Sequence, residues 1–442
     1  MEQSPKVREK KQPFKRWNPR LLLSRYLRLN LAKRDDRNAY YLVAEVFWAS
    51  FLNAAAAFNV AYAIRLGASD QMIGFLSSIP ALFAIFLSIP VAQILQQAKH
   101  KKPLLLSSLT VFRAGFIAIA LVPWLNFLNI PSGAVVVVVL VLFSITNRPF
   151  IVGFAPMMSA VLPPQKQAPV ISARMQLMHA VQSGTVFLLG FWLDAVVFPL
   201  NYTIMYTVTV LLSIVSIVLI KKIEYDDKPK INVVKTRNIK TTLKSFIKVA
   251  KNNPRFMRFT TNVFLMDFGM WASIPLFSLY YLNVLNATDG WIGTFSSINN
   301  VSNIVGYGLW RPFVNRIGPE RLIRYVALMR PLWPLAVALA PNLTFLLFAG
   351  GAWGLMVPGL GLCSQSLFLR ILPVDAREEG QALHSTIQNS SMFLSPLIGI
   401  AIAEAIGIPN ALFIFAGVRL LGSLMWTFNP IDREEPEAAP AA

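Results

Sequence analysis

The chain has 442 residues, 55% hydrophobic and only 14% charged, where a soluble globular domain carries about 25% charged residues. Its apolar stretches run near the roughly 20 residues that a bilayer crossing needs, well beyond the roughly 4–8 residues of a buried strand. The net charge of +20 does not point to nucleic acid, because the basic residues lie in the leading tail and in alternate loops, the pattern that membrane orientation imposes.

In chain order, residues 1–37 form a basic tail. Within it Trp17–Leu31 sets Leu21, Leu22, Tyr26 and Leu29 among Arg20, Arg25 and Arg28, which reads as an amphipathic helix on the membrane surface or as an unstructured basic tail. No cleavable signal peptide is expected. Six spans follow over 38–65, 70–97, 103–127, 132–161, 168–194 and 198–220, making a first bundle over 38–220. A polar stretch over 221–256 carries Lys228, Lys230, Lys235, Arg237, Lys240 and Lys244 and is the natural linker. Its second part, with Leu243, Phe246, Ile247 and Ala250, suits a short interfacial helix. Six more spans over 257–284, 289–314, 320–341, 343–371, 379–405 and 409–428 make a second bundle over 257–428, followed by a tail over 429–442. Lys and Arg fill the loops after spans 2, 4, 6, 8 and 10, at Lys99, Lys101, Lys102, Lys166, Lys221 onward, Arg316, Arg321 and Arg377. Both ends are therefore expected in the cytoplasm, in a plasma (inner) membrane.

The two bundles repeat one another. Leu66 to Ile79 opens span 2 and Leu285 to Ile298 opens span 8, sharing Leu, Ala, Asp, Ile-Gly and Ser-Ser-Ile at one constant offset. Ser69 and Thr288, or the Asp after each, suit a helix cap, and Gly74 and Gly293 permit close helix contact. Trp48-Ala49-Ser50 pairs with Trp271-Ala272-Ser273, Arg113 with Arg330, Leu162-Pro163 with Leu372-Pro373, and Asp194 with Glu404. Parallel repeats of this length are a plan of secondary transporters, related by a pseudo-two-fold axis along the membrane normal, with the solute site between them.

With these residues in hand, the chain resembles the major facilitator superfamily over about residues 38–430. The family's loop after span 2 usually reads G-x-x-x-D-R-x-G-R-K. The matching stretch here, Gln93 to Lys102, lacks the glycines and the aspartate, whereas the second copy keeps Asn315, Arg316, Gly318 and Arg321. The resemblance implies that the gating latch rests on the second half. Span 5 has no G-P-x-x-G element; span 11 has Pro396-Leu-Ile-Gly399 instead, a departure from the family's proton-coupled drug antiporters.

Ionisable residues deep in a span are costly and usually face a cavity or a partner. Glu45 in span 1, Arg148 in span 4 and Asp267 in span 7 are the leading candidates, because the resemblance implies that spans 1, 4, 7 and 10 line the central cavity. The expectation is that the three share one water-filled space, where Glu45 takes and releases a proton beside Arg148. The competing reading is that they form ion pairs which pack helices. Arg113 and Arg330 read as structural, and Asp194 and Glu404 as solvated helix ends. Trp48, Trp271, Asn53, Asn300 and Gln388 are candidate cavity walls and donors, with Asn299 and Asn389 as further amides. Gly350-Gly351-Ala352-Trp353-Gly354 marks span 10 as flexible or closely packed.

The function expected is secondary transport of a small solute by alternating access, coupled to protons, by a monomer in the lipid bilayer. The alternative is a non-transporting homologue with an assembly or sensing role. A membrane enzyme is disfavoured: no nucleophile sits with a base, His100, His179 and His384 have no metal-ligand spacing, and Cys363 is the single cysteine. No G-x-x-x-x-G-K-S/T loop is present to cradle ATP. No cofactor or metal is expected.

Overall fold

The computed structural model describes residues 29–128, 130–225, 239–372 and 377–431. The proposed surface helix over 17–31 falls almost wholly outside them, as do Lys228, Lys230, Lys235, Arg237, Pro373 and the tail beyond 431. The described chain is all helical. Helices α1 (Arg34–Arg65), α2 (Asp70–Gln97), α3 (Lys101–Leu121), α4 (Ser132–Val161), α5 (Pro164–Ala195) and α6 (Leu200–Lys222) form the first half. A linker helix, Ile239–Asn252, precedes the second half. That half comprises α7 (Pro254–Val284), α8 (Asp289–Ile317), α9 (Pro319–Leu328 and Leu332–Ala338), α10 (Leu343–Ile371), α11 (Arg377–Ile406) and α12 (Ile408–Phe428).

Among the described residues, nine helices are long and apolar enough to cross a membrane. The other three of the twelve-helix plan, α5, α8 and α9, fall short for a physical reason. Gln182, Ser183, Asn299, Asn300 and Asn303 make α5 and α8 more polar, and these two helices pack against each other between the halves. Helix α9 is interrupted at residues 329–331. Phe86, Phe348 and Leu421 stand exposed instead, as a hydrocarbon solvent permits.

The repeat is visible in matching contacts. The Ser69 hydroxyl accepts from the Met72 amide at 3.4 Å, and that of Thr288 accepts from Trp291 at 3.2 Å. These are equivalent caps on α2 and α8. The halves meet along α2 with α11 and α5 with α8. At the second seam the backbones nearly touch: a Cβ on Gly190 would lie 2.7 Å from the Asp289 carbonyl oxygen, and one on Gly293 would lie 2.6 Å from that of Val186.

One membrane face carries the linker and the starts of α1 and α7; the other carries the α1–α2 and α7–α8 turns. Toward the second, or far, face a single apolar core runs through both halves, joining Phe58, Tyr62 and Tyr206 to Leu276, Leu279 and Leu412. Toward the linker face the core divides in two. Leu42, Leu105 and Val161 belong to one part, and Phe259, Leu322 and Leu367 to the other. Two halves fused at one face and separate at the other leave an opening on the linker side. The linker helix docks Val249 there, while Leu243 and Ile247 stay exposed.

Candidate functional site

Between the halves lies a cavity of about 450 Å³. Asn53, Ala54 and Ala57 of α1 and Gln182 and Val186 of α5 form one wall. The second half supplies Ile274, Phe277, Ser278 and Tyr281 from α7, Phe295, Ser296, Asn299 and Asn300 from α8, Trp333 from α9 and Trp353 from α10. Its rings Phe295, Trp333 and Trp353 form a ladder that Trp291, outside the lining, extends. Trp291 stacks on Phe295 at 5.1 Å, Phe295 on Trp333 at 5.8 Å, and Trp333 on Trp353 at 5.9 Å. Small backbones let the helices close around it: Gly350 sits against the Phe295 ring and Gly354 against Ser302. Among the described residues, no ionisable side chain other than tyrosine lines this cavity. Amides and hydroxyls facing a flat aromatic wall suit a small polar solute with a ring or planar face.

Of the sequence candidates, Asn53 and Asn300 line the cavity. Trp48 does not; it packs on Phe47 and Phe51 at 5.3 and 6.1 Å, because it lies about 140° around α1 from Asn53 at 100° per residue. Trp271 is half-buried one turn of α7 nearer the linker face than the Ile274 lining position. Gln388 is half-buried on α11, with its amide nitrogen buried and unpartnered.

The three deep charges do not share one space. Glu45 is buried and pairs with Arg174 of α5 at 2.6 Å. Arg174 also donates to the Leu42 carbonyl and lies over the Phe154 ring at 4.9 Å. Arg113 stands near Glu45 and donates to the Ser213 carbonyl and, at 2.7 Å, to the Ser216 hydroxyl of α6. Glu45 therefore lies inside the first half between two guanidinium groups, and the expectation that it opens on a space shared with Arg148 and Asp267 is corrected by this placement. Arg148 is half-buried at the break in α4 and donates to the Pro80 carbonyl of α2, not to Glu45. Asp267 lies in the second half, within the field of Arg330 and Arg419.

At the far face the halves are tied. Arg65 of α1 pairs with Asp289 at 3.1 Å, and the Tyr202 hydroxyl of α6 donates to the other Asp289 oxygen at 2.8 Å. The Gly290 amide donates to Asp194 at 2.9 Å, and Gln71 donates to Glu404 at 3.4 Å. Asp194 and Glu404 are thus exposed but engaged across the seam, not simply solvated ends. On the linker face, Asn315, Arg316, Gly318 and Arg321 surround a separate pocket of about 470 Å³ with Glu320, Arg324 and Ile431. Gly318 turns α8 into α9 at φ +87°, a conformation that side chains resist, and Glu320 accepts from Arg370 of α10 at 2.9 Å.

Sequence reasoning does not single out Gln182, Trp333 or Tyr281. The signal available for Trp333 is its place between Pro331 and Pro334, where a helix must break.

The family model described as Major Facilitator Superfamily matches residues 46–368 and 262–442. No curated protein matches the chain significantly. Among solved structures, the nucleoside transporter NupG is similar at 14% identity and TM-score 0.64, covering 88% of this chain and 98% of that one. A POT family transporter in complex with a thioalcohol-conjugated peptide is similar at 13% identity and TM-score 0.68, covering 90% and 97%. The E. coli fucose:proton symporter FucP is similar at 14% identity and TM-score 0.58, covering 91% and 100%. With its twelve-helix plan, its paired halves and a family match across nearly all of its length, the chain belongs to the Major Facilitator Superfamily.

Proposed function

We propose that the protein is a secondary transporter that carries a small polar solute with a ring or planar face by rocking its two halves. The observation that carries this reading is the cavity between the halves, with an aromatic ladder on one side and Asn53, Gln182, Asn299 and Asn300 as amide partners. A nucleoside transporter and a fucose:proton symporter share the fold, and a nucleoside or a sugar has the shape this wall would take. The linker face is assigned to the cytoplasm by its basic loops, so the form described is open inward and closed outward. The gating role belongs to the Asn315, Arg316, Gly318 and Arg321 turn, which joins the α8 and α9 ends to Arg370 through Glu320. Uptake by proteoliposomes across a panel of nucleosides, sugars and short peptides tests the reading. Failure to accumulate or exchange any of them, with the protein folded, would favour the non-transporting alternative.

Coupling to protons is assigned to Asp289. It is buried, and both Arg65 and Tyr202 reach it from the opposite half, with Asp194 as its acidic neighbour. When the far face opens, Asp289 gives up both partners and meets outside water, so the charge and solvation around the carboxyl change between the two states of the cycle. Replacing Asp289 by Asn should abolish proton-driven accumulation while solute exchange persists; normal accumulation by this variant refutes the assignment.

A further inference from the structure

The second half holds a charge cluster that the cavity chemistry does not use. Asp267 of α7, Arg330 at the break of α9 and Arg419 of α12 act on one another electrostatically near mid-membrane. Both guanidinium carbons lie 5.5 Å from the Trp353 ring, and Trp353 is a wall of the central cavity. Arg419 is fully buried, while Arg330 and Asp267 keep part of their surface open.

Two guanidinium groups against one carboxylate leave one positive charge in excess. A buried charge without a partner is costly in a bilayer interior. The donors are unspent as well. Arg419 places one terminal nitrogen on the Met270 sulfur at 3.2 Å, a weak acceptor. Its Nε and other terminal nitrogen are buried without partners, as is the Nε of Arg330.

The first half supplies an internal control. There Glu45 sits with Arg174 and Arg113 in the same proportion of charges. Yet those arginines spend donors on Glu45, the Leu42 and Ser213 carbonyls and the Ser216 hydroxyl, and none of their nitrogens is buried without a partner. One cluster is closed by protein acceptors; its counterpart keeps donors unspent behind Trp353, a wall of the cavity.

We propose that Arg330 and Arg419, moderated by Asp267, form a binding site for a single anionic group that enters from the central cavity past Trp353. The group is either a carboxylate carried by the transported solute or a free monovalent anion such as chloride. The inference rests on the transport reading for its purpose, though not for its test. It deepens that reading by giving the solute, or its co-transported ion, a negative charge.

The test uses the full chain purified in detergent, in a low-anion Tris–HEPES buffer, titrated by calorimetry. Benzoate and benzamide are the paired probes: each offers a flat ring to the aromatic wall, and only benzoate is charged. Sodium chloride is the third. The wild type should bind benzoate at least tenfold more tightly than benzamide, or bind chloride, and the first or second result distinguishes a solute-borne group from a free anion. Arg330→Gln should weaken anion binding at least tenfold. Asp267→Asn removes the moderating charge and should tighten it severalfold. Effects of opposite sign are not expected from loss of packing, so the pair guards against a variant that merely folds poorly. Absence of anion binding by the folded wild type, or an anion affinity that neither substitution moves, overturns the proposal. Failure of proteoliposome transport with this binding pattern intact would instead count against the transporter reading.

Discussion

Arg65, at the end of α1, and Asp289, at the start of α8, join the two halves across 3.1 Å at the far face. Asp289 is buried while Arg65 is about one-third exposed, so the pair lies between the weak surface and the strong buried case, worth roughly 1–3 kcal/mol. Replacing Arg65 by Gln should move the balance of conformations roughly 5- to 150-fold toward an open far face. Spin labels across the seam should report a longer distance population, and an unchanged distribution would show that the pair is not a latch.

Gly190 and Gly293 should tolerate no added methyl group. A Cβ on Gly293 meets a backbone oxygen at 2.6 Å, and a backbone cannot swing aside as a side-chain tip can. Gly293→Ala should hold the far face ajar and reduce turnover at least tenfold, with the protein still inserted. Turnover near wild type would mean that the α5–α8 seam opens and closes without this contact.

Glu45 should behave as a structural residue. Glu45→Gln leaves Arg174 buried without its carboxylate, a change that costs about 3–5 kcal/mol. A lower melting temperature should follow, whereas the proton dependence of transport should persist. Replacing Glu45 and Arg174 together by Gln and Met should recover much of the lost stability. Loss of proton dependence with unchanged melting would return Glu45 to a coupling role.

Cavity amides should set affinity more than rate. Asn53→Ala and Asn300→Ala each remove one neutral donor–acceptor group, worth about 0.5–1.5 kcal/mol. The Michaelis constant for the transported solute should rise roughly 2- to 12-fold in each variant, as this energy converts at room temperature. Trp48→Ala, off the cavity, should leave it unchanged; the reverse order would displace the site from this cavity.

Membrane sidedness is open to a direct check in a Cys363→Ser background. A cysteine at Asn286, on the far-face turn where φ is +54°, should react with an impermeant reagent in intact cells. One at Lys235 should not, and labelling of Lys235 from outside would reverse the assignment of faces.

The fold is largely legible from the chain because bilayer spanning leaves a long, one-dimensional signature, and because the span 2 and span 8 openings share a register that Ser69 and Thr288 translate into equal caps. The site is less legible. Asn53 stands out because an amide in an apolar span is conspicuous, and Asn300 because it falls in a run of amides, but a buried charge looks the same in sequence whether it faces a cavity or an arginine. Arg174, near the start of a polar helix, gives no hint that it crosses to Glu45 at 2.6 Å. Trp333 and Trp353 belong to helices that the repeat pattern alone does not bring together, and their 5.9 Å stacking depends on the tertiary arrangement.

The aromatic ladder belongs wholly to one half: Trp291, Phe295, Trp333 and Trp353 all follow the linker. A solute lying on that wall is a passenger of the second half through the whole cycle. On the transport reading proposed above, the first half is the moving jaw, and it faces the cavity through few groups, Asn53 and Gln182 among them. A flat ligand that covers only the ladder would ride back and forth without stalling the carrier. A ligand long enough to reach from Trp353 to Gln182 would wedge the jaw, and length across the seam, rather than grip on the wall, would separate inhibitors from cargo.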